Sequence, residues 1–303
     1  MIIIRLMGGL GNQLQQYALY KKFVSMGVQV KLDLSWFEES VQRKVLAPRN
    51  IEIDRFTGIK YEVCDENEIK NLLGPSGVVG KLYRRLYPKK VKKYVEFTKY
   101  DPALLNFRDM YLEGYFACEY YFADIIDILR RELILPTKRE LNGIVNAMAM
   151  ENSVSIHIRR GDYLDDANKE LFGSVCTEEY YEAAIEYVLN NIDGPAKLYI
   201  FSDDLDYARS YGAKIASKYR TYTQVVDVNY GADSCYDMFL MSKCHYNICA
   251  NSTFSYWGAR LNTFKGKIMV SPTVQRANQD FVPEDMHLWW KDWVFIDSKG
   301  EVR

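Results

Sequence analysis

Ile2-Ile3-Ile4-Arg5-Leu6, followed by Met7-Gly8-Gly9-Leu10-Gly11-Asn12-Gln13, sets a short β-rich run against a glycine-rich turn. From Leu14 to Met26 the chain reads as an amphipathic helix closed by Gly27, and Val28 to Leu34 returns as a strand. Strand, helix and strand make one βαβ unit, the element from which parallel, doubly wound sheets are built. The fold class is therefore α/β.

Outward from this unit the pattern loosens between Trp36 and Lys99, where Gly74-Pro75-Ser76-Gly77 marks a loop. Phe122 to Leu133 reads as a helix with Pro136 just past its end. A second alternation starts near residue 153. Ser153 to Ile158 is a strand, Thr177 caps a helix running to Asn190, and Lys197 to Ser202 is the next strand. Strands at Val225 to Val228, Tyr246 to Ala250 and Lys267 to Val270 follow, with helices at Cys235 to Ser242 and Phe254 to Leu261 between them. The domain boundary is placed at Met148 to Asn152, which gives two halves, 1–150 and 151–303. No repeat with a period of about 20 to 50 residues is visible, which excludes solenoids and propellers.

With 303 residues, 48% of them apolar and 26% charged, the chain has the size for two ordinary domains. Lysine plus arginine (39) balances aspartate plus glutamate (40), so no global field draws the protein to nucleic acid, and an anionic ligand must be met locally. No apolar run reaches the roughly 20 residues of a membrane span, and a first strand at Ile2 leaves no room for a signal peptide. A cytoplasmic protein is expected. The basic stretch Lys81 to Lys93 interleaves its lysines and arginines with Leu82, Tyr83, Leu86, Tyr87 and Val91. It reads either as a solvated face or as a peripheral contact with anionic lipid or a lipid-linked acceptor at the inner membrane. The six cysteines carry no C-x-x-C pair, and Cys235, Cys244, His245 and Cys249 match no zinc spacing, so reduced structural thiols are expected.

Ligands of open α/β sheets bind beyond the carboxyl ends of the strands, so the strand-to-helix turns carry the functional reading. In the first turn, glycines allow close backbone approach and Asn12 and Gln13 stand at the helix entrance. A dinucleotide fingerprint would need a third glycine where Leu14 stands, although Asp33 is placed as a ribose-binding acid would be. The second turn is Ser155-Ile156-His157-Ile158-Arg159-Arg160-Gly161-Asp162-Tyr163. Strand alternation puts His157 and Arg159 on one face, and an arginine fork at a strand end suits a diphosphate. Asp162 can reach the same space as a base or hydroxyl acceptor.

The third turn, Phe201-Ser202-Asp203-Asp204, offers carboxylates to ribose or purine, and Asp204-Leu205-Asp206 imitates an acidic metal-binding pair. Asn251, Ser252, Thr253 and Ser255 in the fourth turn put small polar side chains at a helix start, an uncharged phosphate cradle. For each turn, helix capping or a local Arg–Asp pair is the competing structural reading.

Through Gly8-Gly9-Leu10-Gly11-Asn12-Gln13, His157 to Tyr163, Phe201 to Asp204 and Asn251 to Gly258 the sequence resembles the bacterial α-1,2-fucosyltransferases that use GDP-fucose. The match spans nearly the whole chain. Its most specific element, His157-x-Arg159-Arg160-x-Asp162, is similar to one in α-1,6- and protein O-fucosyltransferases. The resemblance implies two Rossmann-like domains facing each other across a cleft, the GT-B type, with the acceptor held by 1–150 and GDP-fucose by 151–303. It implies inverting, metal-independent transfer of L-fucose from GDP-β-L-fucose to the 2-hydroxyl of a terminal galactose in a surface glycan such as lipopolysaccharide, with no cofactor. Carried over by position, Arg159 holds the β-phosphate with Arg160 beside it, His157 meets the nucleoside, and Asp203 or Asp204 helps to hold it. Asn251, Ser252, Thr253 and Ser255 line the diphosphate, and Asn12 meets the donor from the first half.

The chemistry accords with those roles. Negative charge grows on the departing diphosphate, where fixed cationic donors stabilise the transition state most. Asp162 is the residue expected to take the acceptor proton. Two other readings compete: an NAD-type oxidoreductase, suggested by the first βαβ unit and Asp33, and a non-catalytic sugar-binding protein, suggested by the 14% aromatic content.

Overall fold

The computed structural model describes residues 1–45, 48–75, 77–96, 100–166, 168–229, 231–279 and 292–303, without the side chains of Arg84 and Ala232. Ser76, Lys99 and the side chain of Arg84 in the basic stretch lie outside the described residues. The chain forms two compact units, Met1–Pro136 and Thr137–Arg303.

The first unit contains β1 (Ile2–Arg5), α1 (Leu10–Ser25), β2 (Val30–Asp33), α2 (Glu39–Gln42), α3 (Glu66–Leu73), α4 (Gly77–Leu86), β3 (Lys93–Val95), β4 (Met110–Glu113) and α5 (Ile126–Glu132). Its four strands are all parallel, in the order β2-β1-β4-β3. The expected βαβ unit is present, but α1 starts at Leu10 rather than Leu14. Gly8 takes a left-handed φ of 81°, where an added Cβ would come 2.8 Å from the Asn12 side chain. The helix has no side-chain cap. Its glutamines brace the neighbouring loops instead. Gln13 Nε2 donates to Gly8 O and Asn50 O, and Gln16 donates to Gly114 O while accepting from Met7 N. These side chains look like a polar helix face in the sequence, yet Gln13, Gln15 and Gln16 are fully buried.

The second unit contains α6 (Asn142–Met150), β5 (Asn152–Ile158), α7 (Glu178–Asn190), β6 (Ala196–Ser202), α8 (Leu205–Tyr219), β7 (Tyr222–Val225), α9 (Cys235–Met241), β8 (Tyr246–Ile248), α10 (Thr253–Leu261), β9 (Met269–Pro272) and β10 (Val294–Ile296). Six parallel strands run in the order β10-β9-β8-β5-β6-β7. Alternation along β5 divides its side chains: Val154, Ile156 and Ile158 join Tyr180, Tyr181, Ala184 and Ile185 of α7 in one core, while the His157 ring meets Phe254 of α10. Thr177 caps α7 as expected, its hydroxyl accepting from Tyr180 N.

Several expected bounds shift for identifiable reasons. The units divide at residues 136 and 137, not at 148–152, so α6 goes with the second unit as the lead-in to β5. The helix expected from Phe122 to Leu133 shortens to α5, because two 3-10 turns, Glu119–Tyr121 and Ala123–Ile125, use the preceding residues. Arg220 ends α8 in a left-handed conformation, so β7 begins at Tyr222 and not at Val225. The strand expected at Lys267 to Val270 is β9, and β10 beyond it was not foreseen. Nor were β3 and β4, whose runs are only three and four residues long. Among the described residues no helix is long and apolar enough to cross a membrane.

Candidate functional site

The order of the second sheet locates a crevice. From β5 the chain steps outward through β6 and β7, then returns to the other side of β5 for β8, β9 and β10. The direction reverses between β5 and β8, and ligands of such sheets bind outside the carboxyl ends at that point. The turn after β5 carries Arg159, Arg160 and Asp162, and the turn after β8 carries Asn251 to Ser255. Tyr163 joins the two turns, its hydroxyl donating to Asn251 O at 3.0 Å.

Register explains the ionic cluster on one rim. Ile158 of β5 pairs with Ser202 of β6, so the next residues of both strands leave the sheet side by side. Arg159 lies 2.6 Å from Asp162 and 2.8 Å from Asp203, and its guanidinium lies over the Tyr163 ring. Arg160 pairs with Asp204 at 2.9 Å and stacks on Tyr207 with its guanidinium carbon 3.8 Å from the ring centre. Asp203 also accepts from Arg160 N, and a Cβ on Gly161 would come 2.6 Å from its carboxylate. Glycine at 161 is thus what lets the two turns close together. The Tyr207 N–H and Arg160 hold Asp204 below the usual carboxylate range. Asp204, rather than Ser202 or Asp203, caps α8 through that N–H.

His157 is buried, and its Nδ1 finds no hydrogen-bond partner among the described residues. Burial first, and the Arg159 charge second, push it down to about 4. It therefore presents a neutral imidazole at neutral pH. In the fourth turn, Ser252 caps α10 and accepts from Phe254 N, which leaves Thr253 at the first helical position. Asn251 and Ser255 turn inward. Asn251 donates to Phe172 O and Gln275 O and accepts from Cys176, while Ser255 donates to Ser252 O. These bonds shape the turn at the start of α10, a nine-residue helix.

The structure thus gathers His157, Arg159, Arg160, Asp162, Asp203, Asp204, Asn251, Ser252, Thr253 and Ser255 around one crevice of the second unit. Asn12 belongs to the first unit, on the opening turn of α1. Sequence reasoning missed Tyr163 and Tyr207, which align the arginines, and Asp237, a half-buried acid near the start of α9 that accepts from Asn229 at 2.7 Å. Burial pushes Asp237 up to about 7. An isolated acid in an otherwise apolar helix, Cys235-Tyr236-Asp237-Met238-Phe239-Leu240, was the signal available.

Asp33, offered above as a ribose acid, is buried and taken up by the Tyr111 hydroxyl at 2.5 Å and by Ser35 N. Asp206 pairs with Arg209 instead of completing an acidic metal pair with Asp204. All six cysteines are thiols outside any disulfide; Cys249 donates to Ser255 O, and His245 stacks on Phe264. No three His, Cys, Asp or Glu residues converge as a metal site among the described residues. On α4, Val78, Val79, Leu82 and Leu86 are 83%, 68%, 57% and 60% exposed, with Lys81 and Arg85 exposed beside them.

The sequence profile of glycosyl transferase family 11 matches residues 1–297. The O-antigen biosynthesis glycosyltransferase WbnK of Escherichia coli is 34% identical over 94% of this chain and 98% of its own. An alpha-1,2-colitosyltransferase of Escherichia coli is 31% identical over 90% of this chain and 91% of its own. Among solved structures, the fucosyltransferase NodZ from Bradyrhizobium matches with a TM-score of 0.42 and 13% identity, over 85% of this chain and 92% of that one.

Proposed function

The chain belongs to glycosyl transferase family 11, and from that premise we propose that it moves L-fucose from GDP-β-L-fucose to the 2-hydroxyl of a terminal galactose, with inversion and without a metal. As a member of that family it is a glycosyltransferase, so the oxidoreductase and non-catalytic readings fall away. The observation that carries the proposal is the Arg159 fork, oriented by two carboxylates and an aromatic ring at the switch point, across the crevice from the start of α10. One relative's name supports the α-1,2 linkage, and the other supports O-antigen assembly as the setting. The same names make colitose the sugar to test against fucose.

Arg159 takes the β-phosphate. Three carboxylates face two guanidiniums at the crevice, so the incoming diphosphate is met by guanidinium N–H groups the acids do not use and by the N–H groups that open α10. Thr253 and Ser252 stand at that helix start, and Asn251 and Ser255 hold it in shape. Asp203 and Asp204 act through the arginines they hold. His157 offers its neutral ring to the nucleoside, and Asp237 supplies a desolvated carboxylate suited to the paired N–H donors of guanine. Asn12 meets the donor from the first unit.

Thermal stabilisation by a nucleotide panel tests this. At 100 times its Kd, GDP is expected to add about 2.7 kcal/mol of stability, with NAD adding none. Stabilisation by NAD alone would exclude the proposal.

The partner surface is α4. Its exposed apolar stripe flanked by lysine and arginine fits an interfacial helix on an anionic membrane, each surface cation adding about 1 kcal/mol. A merely solvated face would not display two valines and two leucines. The protein is expected to co-sediment with phosphatidylglycerol-rich vesicles and not with phosphatidylcholine vesicles, and Leu82→Asp to abolish this with activity on a soluble acceptor intact. Equal indifference to both vesicles would exclude the contact.

A further inference from the structure

We propose that a crevice of the first unit, lined by Arg5, Asp33, Tyr111, Glu113 and Lys93, binds a neutral sugar of the glycan acceptor; the choice of occupant rests on the glycosyltransferase reading above. The first sheet reverses direction between β1 and β4, and ligands of such sheets sit beyond the carboxyl ends of the strands at that point. Arg5 ends β1 and Glu113 ends β4.

Register and alternation build the crevice. Ile3 pairs with Lys31 and Tyr111, and Arg5 pairs with Asp33, so these residues share one face of the sheet. On that face α3 covers the part nearer the amino ends, where Ile3 and Tyr111 pack with Ile69, Leu72 and Leu73. Past α3 the face carries charge instead of a core, with Asp33 on β2, Arg5 on β1, Glu113 on β4 and Lys93 on β3. A cavity of about 360 Å³ opens there, with Ile69 and Leu73 as its apolar wall. That volume lies near the lower end for small-molecule sites and suits a short piece of glycan.

The bonding of the lining selects the kind of ligand. Glu113 is shared by two cations, 3.2 Å from Arg5 Nη1 and 2.9 Å from Lys93 Nζ. Asp33 accepts from the Tyr111 hydroxyl and from Ser35 N. Arg5 spends one N–H on Glu113, while its Nε is buried and meets no acceptor among the described residues. A buried donor in that state is costly, and a ligand oxygen placed against it removes the cost. Two basic and two acidic side chains leave the lining without net charge, so neither an anion nor a cation is favoured as a whole. A sugar hydroxyl both donates and accepts, and a neutral sugar can therefore answer the carboxylates and the guanidinium together. The ionic row is also within reach, because Arg5, Glu113 and Lys93 remain 24%, 25% and 33% exposed.

The test is the affinity of the full chain, with saturating GDP, for a neutral galactose-terminated oligosaccharide, followed by ligand-observed NMR in the native protein and in Arg5→Met and Glu113→Gln. Tm, GDP stabilisation and the KM values for acceptor and donor are measured in parallel. Arg5→Met leaves Glu113 paired with Lys93 and is expected to weaken oligosaccharide binding by about 10- to 10²-fold, the loss typical of a hydrogen bond to a charged group. The acceptor KM is expected to rise by the same factor, with the donor KM and GDP stabilisation unchanged. Glu113→Gln keeps its size and is expected to weaken the neutral sugar while admitting an oligosaccharide that ends in glucuronate, because the lining then carries net positive charge. It decides the matter if Arg5→Met does not fold. A purely structural ion-pair row would lower Tm in both variants and leave oligosaccharide binding unchanged, which overturns the site. Native preference for the glucuronate-ended oligosaccharide over the neutral one overturns it too. If both variants lose oligosaccharide affinity while the native protein transfers sugar from no donor, the crevice stands as a sugar site and the glycosyltransferase reading falls.

Discussion

Arg159→Ala is expected to lower sugar transfer by about 10² or more, the loss typical of removing one fixed donor from a developing anion. The fold should survive. Arg159 is partly exposed, and the sheet beneath it is held by the apolar side chains of β5 and α7. Arg159→Lys is expected to recover little, because an ammonium cannot be clamped by Asp162 and Asp203 while lying flat over Tyr163. Rates for both variants with GDP-fucose, beside GDP stabilisation, check this. A lysine variant nearly as active as the parent would mean that charge alone matters and that the fork is not read bidentately.

Asp162→Asn gives the second large effect and decides between two roles for that residue. Read from the sequence, Asp162 is the base; in the structure its carboxylate is bonded to Arg159, so we expect it to act by positioning the fork. Loss of a hydrogen bond to a charged group removes about 1.5 to 3 kcal/mol, so GDP affinity and transfer are expected to fall together by about 10- to 10²-fold. Collapse of transfer with GDP affinity untouched would return the role of base to Asp162.

The second unit was legible where local rules and topology coincide. Strand alternation placed His157 and Arg159 on one face, and the reversal of strand order then brought their turn beside Asn251 and Ser252. What could not be read were commitments made over distance. The partners of Asn251 are at 172 and 275, those of Glu96 at 115 and 116, and that of Asp33 at 111. Gln13, read from the sequence as a residue at the helix entrance, and Gln16 instead hold neighbouring loops from a buried helix, bonds that periodicity does not show. In 36–110 the strands are too short for alternation to register, which concealed β3 and β4.

Incubating the protein with GDP-β-L-fucose and a galactose-terminated oligosaccharide in excess EDTA, then determining the linkage formed, decides the chemical outcome. An α-linked fucose on the galactose 2-hydroxyl is expected, formed at the same rate without the chelator. A β-linked product, attachment at another hydroxyl, or activity restored only by added manganese or magnesium would contradict it.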